Sequence, residues 1–219
     1  MKNVRIIPSI GILYLTLAAL PSMAQKKVSE LTLVYDYWIG SAANPPKDGN
    51  ENASHTVYIK GNKSRSEMTN AIFSSTTFYD ATTGNAVILK EVSGQKLLIR
   101  LTPENWAERA QPYDGLQFQN LPETKEIAGY KCIKATAKTK AGATINVFYT
   151  KDVLPENRTY DPQFRTLDGL PLEYELTNGD LQIKYRISRL NFNPVPASRF
   201  DIPKSGYREM NYEESKKGI

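Results

Sequence analysis

The chain offers few side chains that could act as nucleophiles or metal ligands. Its 219 residues include one cysteine, Cys132, and one histidine, His55. Zinc sites usually draw on several cysteines and histidines, which this sequence cannot supply. His55 precedes a strand-like run, and no G-x-S-x-G nucleophile motif lies near it. The sequence therefore predicts a solvated loop histidine and no metal site.

The lone cysteine leaves three roles open. Cys132 could pair with another chain, remain a free thiol, or be buried as a small apolar group. Unpaired cysteines are commonly buried, so we favour a buried thiol. A single cysteine allows no internal disulfide, and the stability of the fold must come from packing.

Two nearby carboxylates could hydrolyse a glycosidic bond, and several glutamates fall on predicted strands. These are Glu67, Glu91, Glu173 and Glu175. Glu173 and Glu175 share one strand face, but we favour their interpretation as charged residues that alternate on a half-exposed sheet. The sequence also lacks a Gly-rich phosphate loop and an EF-hand loop. We predict no catalytic residue, no cofactor and no enzymatic activity.

The N-terminus has the order of a secretory signal peptide. Lys2 and Arg5 precede an apolar stretch over residues 6–20, and Ser22-Met23-Ala24 supplies small residues before the expected cleavage site. We predict a signal peptide at 1–24, a single β-rich domain at 25–219, and no transmembrane segment after cleavage. The product would be soluble and either periplasmic or associated with the outer envelope.

The charge pattern argues against nucleic acid as a partner. The formal net charge of +5 includes Lys2 and Arg5, so the mature chain carries two fewer positive charges. The remaining lysines and arginines are spread along the chain, whereas nucleic acid binding requires a basic patch or stripe. We therefore expect no nucleic acid partner.

After the signal peptide the sequence alternates with a period of two, which is typical of β-strands. Gly61-Asn62 marks a tight turn between two strands, and prolines flank a short helix predicted within 103–113. Roughly nine or ten strands are indicated in this way. We predict a mainly β fold, with a single curved antiparallel sheet or open, incomplete β-barrel, one or two short helices and a frayed C-terminal tail.

The segment 124–155 predicts a hairpin with one apolar side, and Gly129 marks a bend or a close backbone approach before it. Its apolar face consists of Ile133, Ala135 and Ala137 on one strand and Ile145, Val147 and Tyr149 on the other.

The pattern GYKCIKATA…YTKD…DGLPLEYE…FDIPKSGY resembles secreted envelope proteins of Gram-negative bacteria, including the GLPGLI group. The matching positions are Ile127, Gly129, Tyr130, Lys131, Cys132, Lys134 and Ala135, followed by Gly169, Leu170 and Pro171. Leu172-Glu173 stands where that group has Gly-Leu, which indicates a neighbouring family.

Such families are similar to the lipoprotein carrier LolA and its receptor LolB. The resemblance implies a curved sheet closed by helices around an apolar cavity for acyl chains. It also implies an arginine latch facing a helical lid. Arg65 or Arg100 would supply that latch, and residues 104–110 would supply a short lid.

The predicted function is a non-catalytic envelope binding protein for a lipid, an acylated protein or another apolar ligand. The alternative is a structural or protein-interaction module with a filled core, and a connected cavity of about 300 Å³ or more would favour the binding protein. Alternation does not reveal which face is concave. The candidate lining residues are Val34, Trp38, Ile59, Phe78, Ile88, Leu98 and Val147.

Overall fold

The structure is a computed structural model that describes residues 25–47 and 53–217. The predicted signal peptide at 1–24 lies outside the described residues, as do part of the polar loop that precedes Ala53 and the last two residues of the chain. None of the helices within the described residues is long and apolar enough to cross a membrane.

The described residues form mainly β-strands with two short α-helices. The strands are β1 (Lys26–Val28), β2 (Glu30–Ser41), β3 (Ser54–Lys60), β4 (Lys63–Thr69), β5 (Phe73–Asp80), β6 (Ala86–Val92), β7 (Gln95–Leu101), β8 (Gln119–Ile127), β9 (Tyr130–Lys138), β10 (Thr144–Thr150), β11 (Val153–Pro155), β12 (Leu170–Asn178), β13 (Leu181–Asn191) and β14 (Arg208–Met210). The helices are α1 (Pro103–Ala110) and α2 (Tyr212–Lys216), and 3-10 turns lie at Gln111–Tyr113, Pro162–Phe164 and Ala197–Phe200.

Twelve of these strands form one sheet in the order β14-β7-β6-β5-β4-β3-β2-β13-β12-β10-β9-β8. All neighbours in the sheet are antiparallel except β14, which pairs with β7 in parallel. The two edge strands, β14 and β8, do not pair with each other, so the sheet stays open. This confirms the predicted mainly β fold with one open sheet and short helices.

The register divides the sheet into two faces, because successive side chains of a strand point to opposite sides. The predicted hairpin illustrates this: Ala135 lies opposite Val147 and Ala137 lies opposite Ile145, as the sequence pattern requires. The inner face carries these residues together with Tyr37 of β2. It packs against two segments that we call the cover, residues 103–118 and 156–169.

The inner face is packed in two apolar clusters. The larger cluster joins β2, β3, β9, β10, β12 and β13 to Leu116, Phe164 and Leu167 of the cover. The smaller cluster includes Ile88 and Ile99 and packs against Trp106 of α1. The inner face of the sheet therefore forms one side of the core, and the cover forms the other side.

The prediction of a short helix within 103–113 is confirmed by α1. Thr102 caps its N-terminus, where the Thr102 hydroxyl accepts a hydrogen bond from the Asn105 backbone N–H and the Asn105 side chain accepts one from the Thr102 backbone N–H. Pro103 occupies the first turn, where its missing N–H costs nothing. The helix begins and ends close to the two prolines that predicted it.

The predicted fraying concerns the last residues of the C-terminal tail, of which 218–219 lie outside the described residues. Residues up to Lys217 include β14 and α2, and Ile202 and Tyr207 cover an apolar cluster on the outer face. That cluster contains Phe78 and Leu98. The tail is held because strands β5 to β7 present apolar residues on their outer face as well, and these need a second covering layer.

A substitution at Gly169, which directly precedes β12, tests the close packing between β10 and β12. A Cβ atom at Gly169 would lie 2.1 Å from the Thr150 carbonyl oxygen. We expect Gly169→Ala to lower the free energy of unfolding by about 2 kcal/mol or more, because backbone must shift to admit the methyl group. Chemical denaturation measures this loss.

The matched control is Gly179→Asn. Gly179 has φ +59° in the turn between β12 and β13, and its Cβ position is open. Asparagine tolerates this backbone conformation, so the change should cost less than about 1 kcal/mol. Equal losses in the two variants would contradict the role assigned to Gly169.

Candidate ligand-binding site

A cavity of about 390 Å³ lies between the inner face and the cover. The sheet contributes residues from β3, β4, β5, β12 and β13, so the sheet must curve around the cavity. The wall from the sheet consists of His55, Val57, Ser66, Met68, Ser75, Thr77, Tyr174, Leu176 and Tyr185. The wall from the cover consists of Trp106, Arg109, Pro112, Tyr113, Tyr160, Asp161, Pro162 and Gln163.

The floor of the cavity is rich in hydroxyl groups. On the inner face, Ser66 of β4 lies opposite Thr77 of β5, and Met68 lies opposite Ser75. Elsewhere the inner face carries apolar residues that fill the two clusters. The short hydroxyl side chains of β4 and β5 fill less volume than those residues, which leaves the space that the cavity occupies.

Stacked aromatic rings form the walls. The rings of Tyr174 and Tyr185 stack with centroids 4.4 Å apart. On the opposite side, Tyr79 of the sheet stacks on Trp106 with centroids 4.5 Å apart, which fixes α1 to the inner face. These pairs hold the walls in place and present apolar ring surface to a bound molecule.

The prediction of a solvated loop histidine is wrong. His55 lies within β3 and is only 9% exposed. Its ring stacks on Tyr35 with centroids 5.8 Å apart and meets the Tyr185 ring edge-on at 5.9 Å. Its Nε2 atom shares a hydrogen bond of 2.7 Å with the Ser66 hydroxyl. Its Nδ1 atom is buried and has no hydrogen-bond partner among the described residues.

Burial lowers the pKa of His55 to about 4, so this ring is neutral at neutral pH. The register explains the position: β3 pairs with β2 so that His55 faces inward opposite Tyr35. The sequence places His55 at the edge of a strand, but the covered face of that strand depends on distant segments.

Asp161 is the ionisable carboxylate of the cavity wall. It caps the turn Pro162–Phe164, and its carboxylate accepts a hydrogen bond of 3.2 Å from the Gln163 backbone N–H. Burial raises the pKa of Asp161 to about 6, against the opposing effect of the hydrogen bonds from Gln163. At neutral pH the cavity wall therefore has a carboxylate on the cover and a neutral imidazole on the sheet, with the exposed Arg109 at the rim.

The predicted lining residues are divided between the two faces of the sheet. Ile59, Ile88 and Val147 lie on the inner face in filled clusters. Val34, Trp38, Phe78 and Leu98 lie on the outer face, because each is an odd number of positions from an inward-facing residue of its strand. None of the seven lies in the cavity wall, and their contact with a ligand remains a prediction.

The two latch candidates lie on the outer face and hold the C-terminal tail. Arg65 donates a hydrogen bond of 2.8 Å to the Arg199 carbonyl oxygen, pairs with Glu67 and lies over the Phe78 ring. Arg100 forms an exposed ion pair of 2.7 Å with Glu209 of β14. Neither residue lies in the cavity wall, where α1 contributes Trp106 and Arg109.

The surroundings of the remaining candidate residues, Cys132, Glu173 and Glu175, point to structural roles. Cys132 is fully buried in the larger cluster as a free thiol, which confirms that preference. Glu173 and Glu175 lie on the outer face, where Glu173 pairs with Lys125 at 2.6 Å and with Arg186 at 2.8 Å. These ion pairs fit the interpretation of charged residues on a half-exposed sheet.

The sequence analysis missed the residues that form the cavity, although one signal was present. The strands KSRSEMT and FSSTTFYD place serine and threonine at alternating positions where neighbouring strands have apolar residues. Short hydroxyl side chains at inward positions fill less space than the apolar residues of neighbouring strands, and this is the signal that could have located the cavity. The cover residues Tyr160 and Asp161 come from a loop, and no periodic signal could have placed them.

Comparisons with known proteins give no family. No protein-family model and no curated protein matches the chain. The resemblance to the GLPGLI group and to the LolA and LolB proteins therefore stays a prediction.

Solved structures show distant similarity. PNGF-II gives a TM-score of 0.48 at 13% identity over 87% of this chain and 33% of that chain, so the chain spans about a third of the length of PNGF-II. MucB gives a TM-score of 0.39 at 12% identity, and the match covers 80% of this chain and 58% of MucB. MucB of Pseudomonas aeruginosa has also been solved as a complex with MucA. A β-barrel-like protein of unknown function from Brucella abortus gives 0.40 at 8% identity over 77% and 99%. At these values the similarity assigns no function to this chain.

The buried histidine makes stability depend on pH in a defined direction. The pKa of His55 is about 4 when folded, against 6.5 ordinarily, so between these values the unfolded chain binds the extra proton. Stability is therefore lost as the pH falls from 6.5 towards 4. For each pH unit that the pH falls across this range, we expect the free energy of unfolding of His55→Phe to rise by about 1.4 kcal/mol relative to that of the parent protein. Denaturant unfolding at several pH values measures this difference.

Asp161→Asn is the opposing control. The pKa of Asp161 is about 6 when folded, above the ordinary 3.8, so protonation stabilises the folded protein as the pH falls from 6 towards 4. The asparagine variant loses this contribution and should become more sensitive to acid than the parent protein. A change in the same direction for both variants would contradict the assigned pKa shifts.

The thiol of Cys132 should be inert in the folded protein. Burial raises the pKa of Cys132 to about 11, so the thiolate is scarce as well as inaccessible. We expect no reaction with an aromatic disulfide reagent under native conditions and one thiol per chain in guanidinium chloride. Cys132→Ser should remain monomeric, and rapid labelling of the folded parent protein, or loss of a covalent dimer in the variant, would contradict the buried-thiol assignment.

Proposed function

We propose that the chain is an exported, non-catalytic binding protein of the bacterial cell envelope that holds a lipid, an acyl chain or another amphipathic ligand in the cavity under the cover. The observation that supports this proposal most directly is the cavity of about 390 Å³ with aromatic and hydroxyl walls. Its volume falls in the lower part of the range of small-molecule sites, about 300 to 1,000 Å³. That size suits one chain or one compact ligand.

The lining favours an amphipathic molecule over a plain hydrocarbon. Val57, Met68 and Leu176 offer apolar contact together with the aromatic rings, whereas the floor carries Ser66 and the neighbouring hydroxyl groups. Each buried methylene contributes about 0.8 kcal/mol, so a chain of eight would gain about 6 kcal/mol before the costs of association. Because the costs of association subtract from this gain, the expected dissociation constant for such a ligand is about 0.1 mM or weaker.

The surroundings of the serine and histidine in the cavity argue against a hydrolytic site. The Ser66 Oγ and His55 Nε2 atoms lie 2.7 Å apart. Nδ1 of His55, however, lacks the carboxylate that orients the base in a catalytic triad. Burial lowers the pKa of His55 to about 4, which makes the ring a weak base at neutral pH. We therefore expect no labelling of Ser66 by a fluorophosphonate, and such labelling would overturn the non-catalytic proposal.

A protein-interaction module is the second candidate, and the β8 edge of the sheet favours it. Among the described residues β8 pairs only with β9, so its other edge is available for an added strand. Leu121 lies exposed on it. The register shift between Asn120 and Thr124 interrupts the regular strand, which limits an added strand to a short contact.

Native mass spectrometry of the mature protein, purified from its own envelope fraction, tests the binding proposal. We expect an adduct of lipid-like mass that is lost in the variant Ser75→Phe, because a phenyl ring at this position fills the cavity floor. Ser74→Phe is the matched control, since Ser74 is the adjacent residue and faces the opposite side of the sheet. It should keep the adduct.

A clean apo mass that does not change on addition of lipid would overturn the binding proposal. An adduct that survives Ser75→Phe and disappears in Ser74→Phe would place the ligand on the outer face instead of in the cavity. Capture of an envelope protein that depends on β8, without any adduct, would favour the interaction module.

A further inference from the structure

Asp161 gives the cavity wall a carboxylate without a counter-ion. Both hydrogen bonds to it come from Gln163, whose backbone N–H lies 3.2 Å from Oδ1 and whose side-chain amide lies 3.5 Å from Oδ2. No lysine or arginine among the described residues forms an ion pair with it. A carboxylate has about four acceptor positions, so roughly half of them are free. A poorly solvated charge without a partner is costly, and the wall therefore favours a ligand group of positive charge.

The Asp161 carboxylate lies within reach of the cavity. Asp161 is only half-buried and forms part of the wall, and its pKa of about 6 leaves it largely ionised at neutral pH. Burial raises the pKa of four tyrosines of the same wall, and the charge of Asp161 raises it further. These are Tyr113 and Tyr160 of the cover and Tyr174 and Tyr185 of the sheet. A carboxylate that acts on tyrosines of both walls lies between the cover and the sheet.

The tyrosine hydroxyls supply further acceptors. Those of Tyr174 and Tyr185 have no hydrogen-bond partner among the described residues, yet neither is among the atoms that are fully enclosed without a partner. Both oxygens therefore keep some accessible surface, and because these residues lie buried on the inner face, that surface opens to the cavity. A phenol oxygen accepts a hydrogen bond from an N–H group, so it can share an ammonium with Asp161.

The aromatic rings of the wall also favour a cation. Within the part of the chain that the structure describes, no other aromatic ring and no cationic side chain stacks on Tyr113 or Tyr160. A positive charge over the face of a tyrosine or tryptophan ring is attracted by the ring electrons, most strongly where water is excluded. Trp106 adds a third ring from the cover.

Arg109 is the cationic residue of the wall, and its charge does not offset that of Asp161. Arg109 is exposed, so water and salt screen it, and it forms no ion pair with Asp161. The imidazole of His55 is neutral because burial lowers its pKa to about 4. The half-buried carboxylate acts in poorly solvated surroundings, where electrostatic interactions are stronger. Its sign therefore decides which charged ligands the cavity favours.

We infer that the ligand of this site carries a positively charged amino group, which binds Asp161 among the tyrosine side chains. The inference rests on the proposed function and names the chemical class of its ligand. The ammonium donates hydrogen bonds to the carboxylate and to tyrosine oxygens, while its charge faces the rings of the cover. The apolar part packs against Met68 and Leu176 of the sheet wall. An amphipathic amine satisfies the polar and the apolar parts of the lining together.

Three probes of equal chain length test the charge of the head group. Isothermal titration calorimetry of the mature protein at neutral pH measures the affinity for octylammonium, 1-octanol and octanoate. We expect octylammonium to bind at least about tenfold more tightly than 1-octanol, because it adds a charge-assisted hydrogen bond to Asp161. Octanoate should bind most weakly, because its charge has the same sign as that of Asp161. This comparison uses the parent protein and does not depend on the folding of a variant.

Asp161→Asn tests the residue itself. Asparagine keeps an oxygen that accepts the hydrogen bond from the Gln163 backbone N–H, but it removes the charge. The affinity for octylammonium should fall at least about tenfold, whereas that for 1-octanol should change less than about threefold. Loss of the fold would weaken both probes alike, so the difference between them reports the charge.

Asp168→Asn is the matched control. Asp168 belongs to the same segment of the cover, but it is exposed, pairs with Lys151 at 3.1 Å and lies outside the cavity wall. The variant removes one negative charge from the cover, as Asp161→Asn does. Both affinities should stay within about threefold of those of the parent protein, because solvent screens an exposed charge.

The outcomes separate this inference from the proposed function. Binding of 1-octanol or octanoate by the parent protein as tightly as octylammonium would overturn the cationic class and leave the cavity function intact. A preference for octylammonium that survives in Asp161→Asn, or that is lost equally in Asp168→Asn, would overturn the role of Asp161. Failure of octylammonium to bind would overturn the inference. Failure of all three probes, together with a clean apo mass from the envelope fraction, would overturn the proposed function as well.

Discussion

The arrangement of the inner face depends on a row of packed aromatic rings. Tyr37, Tyr185 and Tyr174 follow one another across β2, β13 and β12, with centroids 5.5 Å and 4.4 Å apart. Phe164 of the cover meets the end of this row edge-on at 4.8 Å. The row connects three neighbouring strands to the cover, and by doing so it decides which side of the sheet is inside. Edge-to-face and offset contacts of this kind fix relative orientation as well as burying area.

The cavity follows from a change of residue type along the inner face. Where β9, β10 and β12 face the cover, apolar side chains such as Val147 and Leu172 are buried and fill the space. Towards β4 and β5 the inward positions are occupied by Ser66, Ser75 and Thr77, which are too short to reach the cover. Protein interiors are packed about as densely as crystals of small organic molecules, so a row of short residues leaves a space that a ligand can occupy.

The electrostatic character of the cavity depends on two buried ionisable residues that the sheet and the cover bring to its wall. His55 and Asp161 come from the sheet and from the cover, and burial moves their pKa values in opposite directions because each loses its charged form to the same poorly solvated surroundings. On the outer face, by contrast, Glu173 is paired with the partly exposed Lys125 and Arg186. At neutral pH the cavity wall therefore combines a neutral imidazole with a carboxylate, whereas the outer face carries ion pairs.

The sequence by itself determined roughly nine or ten of the fourteen strands that the described residues form, most of their turns, the short helix and the hairpin of β9 and β10, because alternation and turn residues are local properties of the chain. The buried Cys132 was also predictable, since free thiols favour apolar surroundings. Only the tertiary structure decided that Ile59 faces inward while Val34 faces outward, and that His55 is buried. A period of two is equally compatible with either face being covered, and contacts between residues far apart in the chain, such as Tyr174 with Phe164 of the cover and Tyr35 with the Pro171 carbonyl, make that choice.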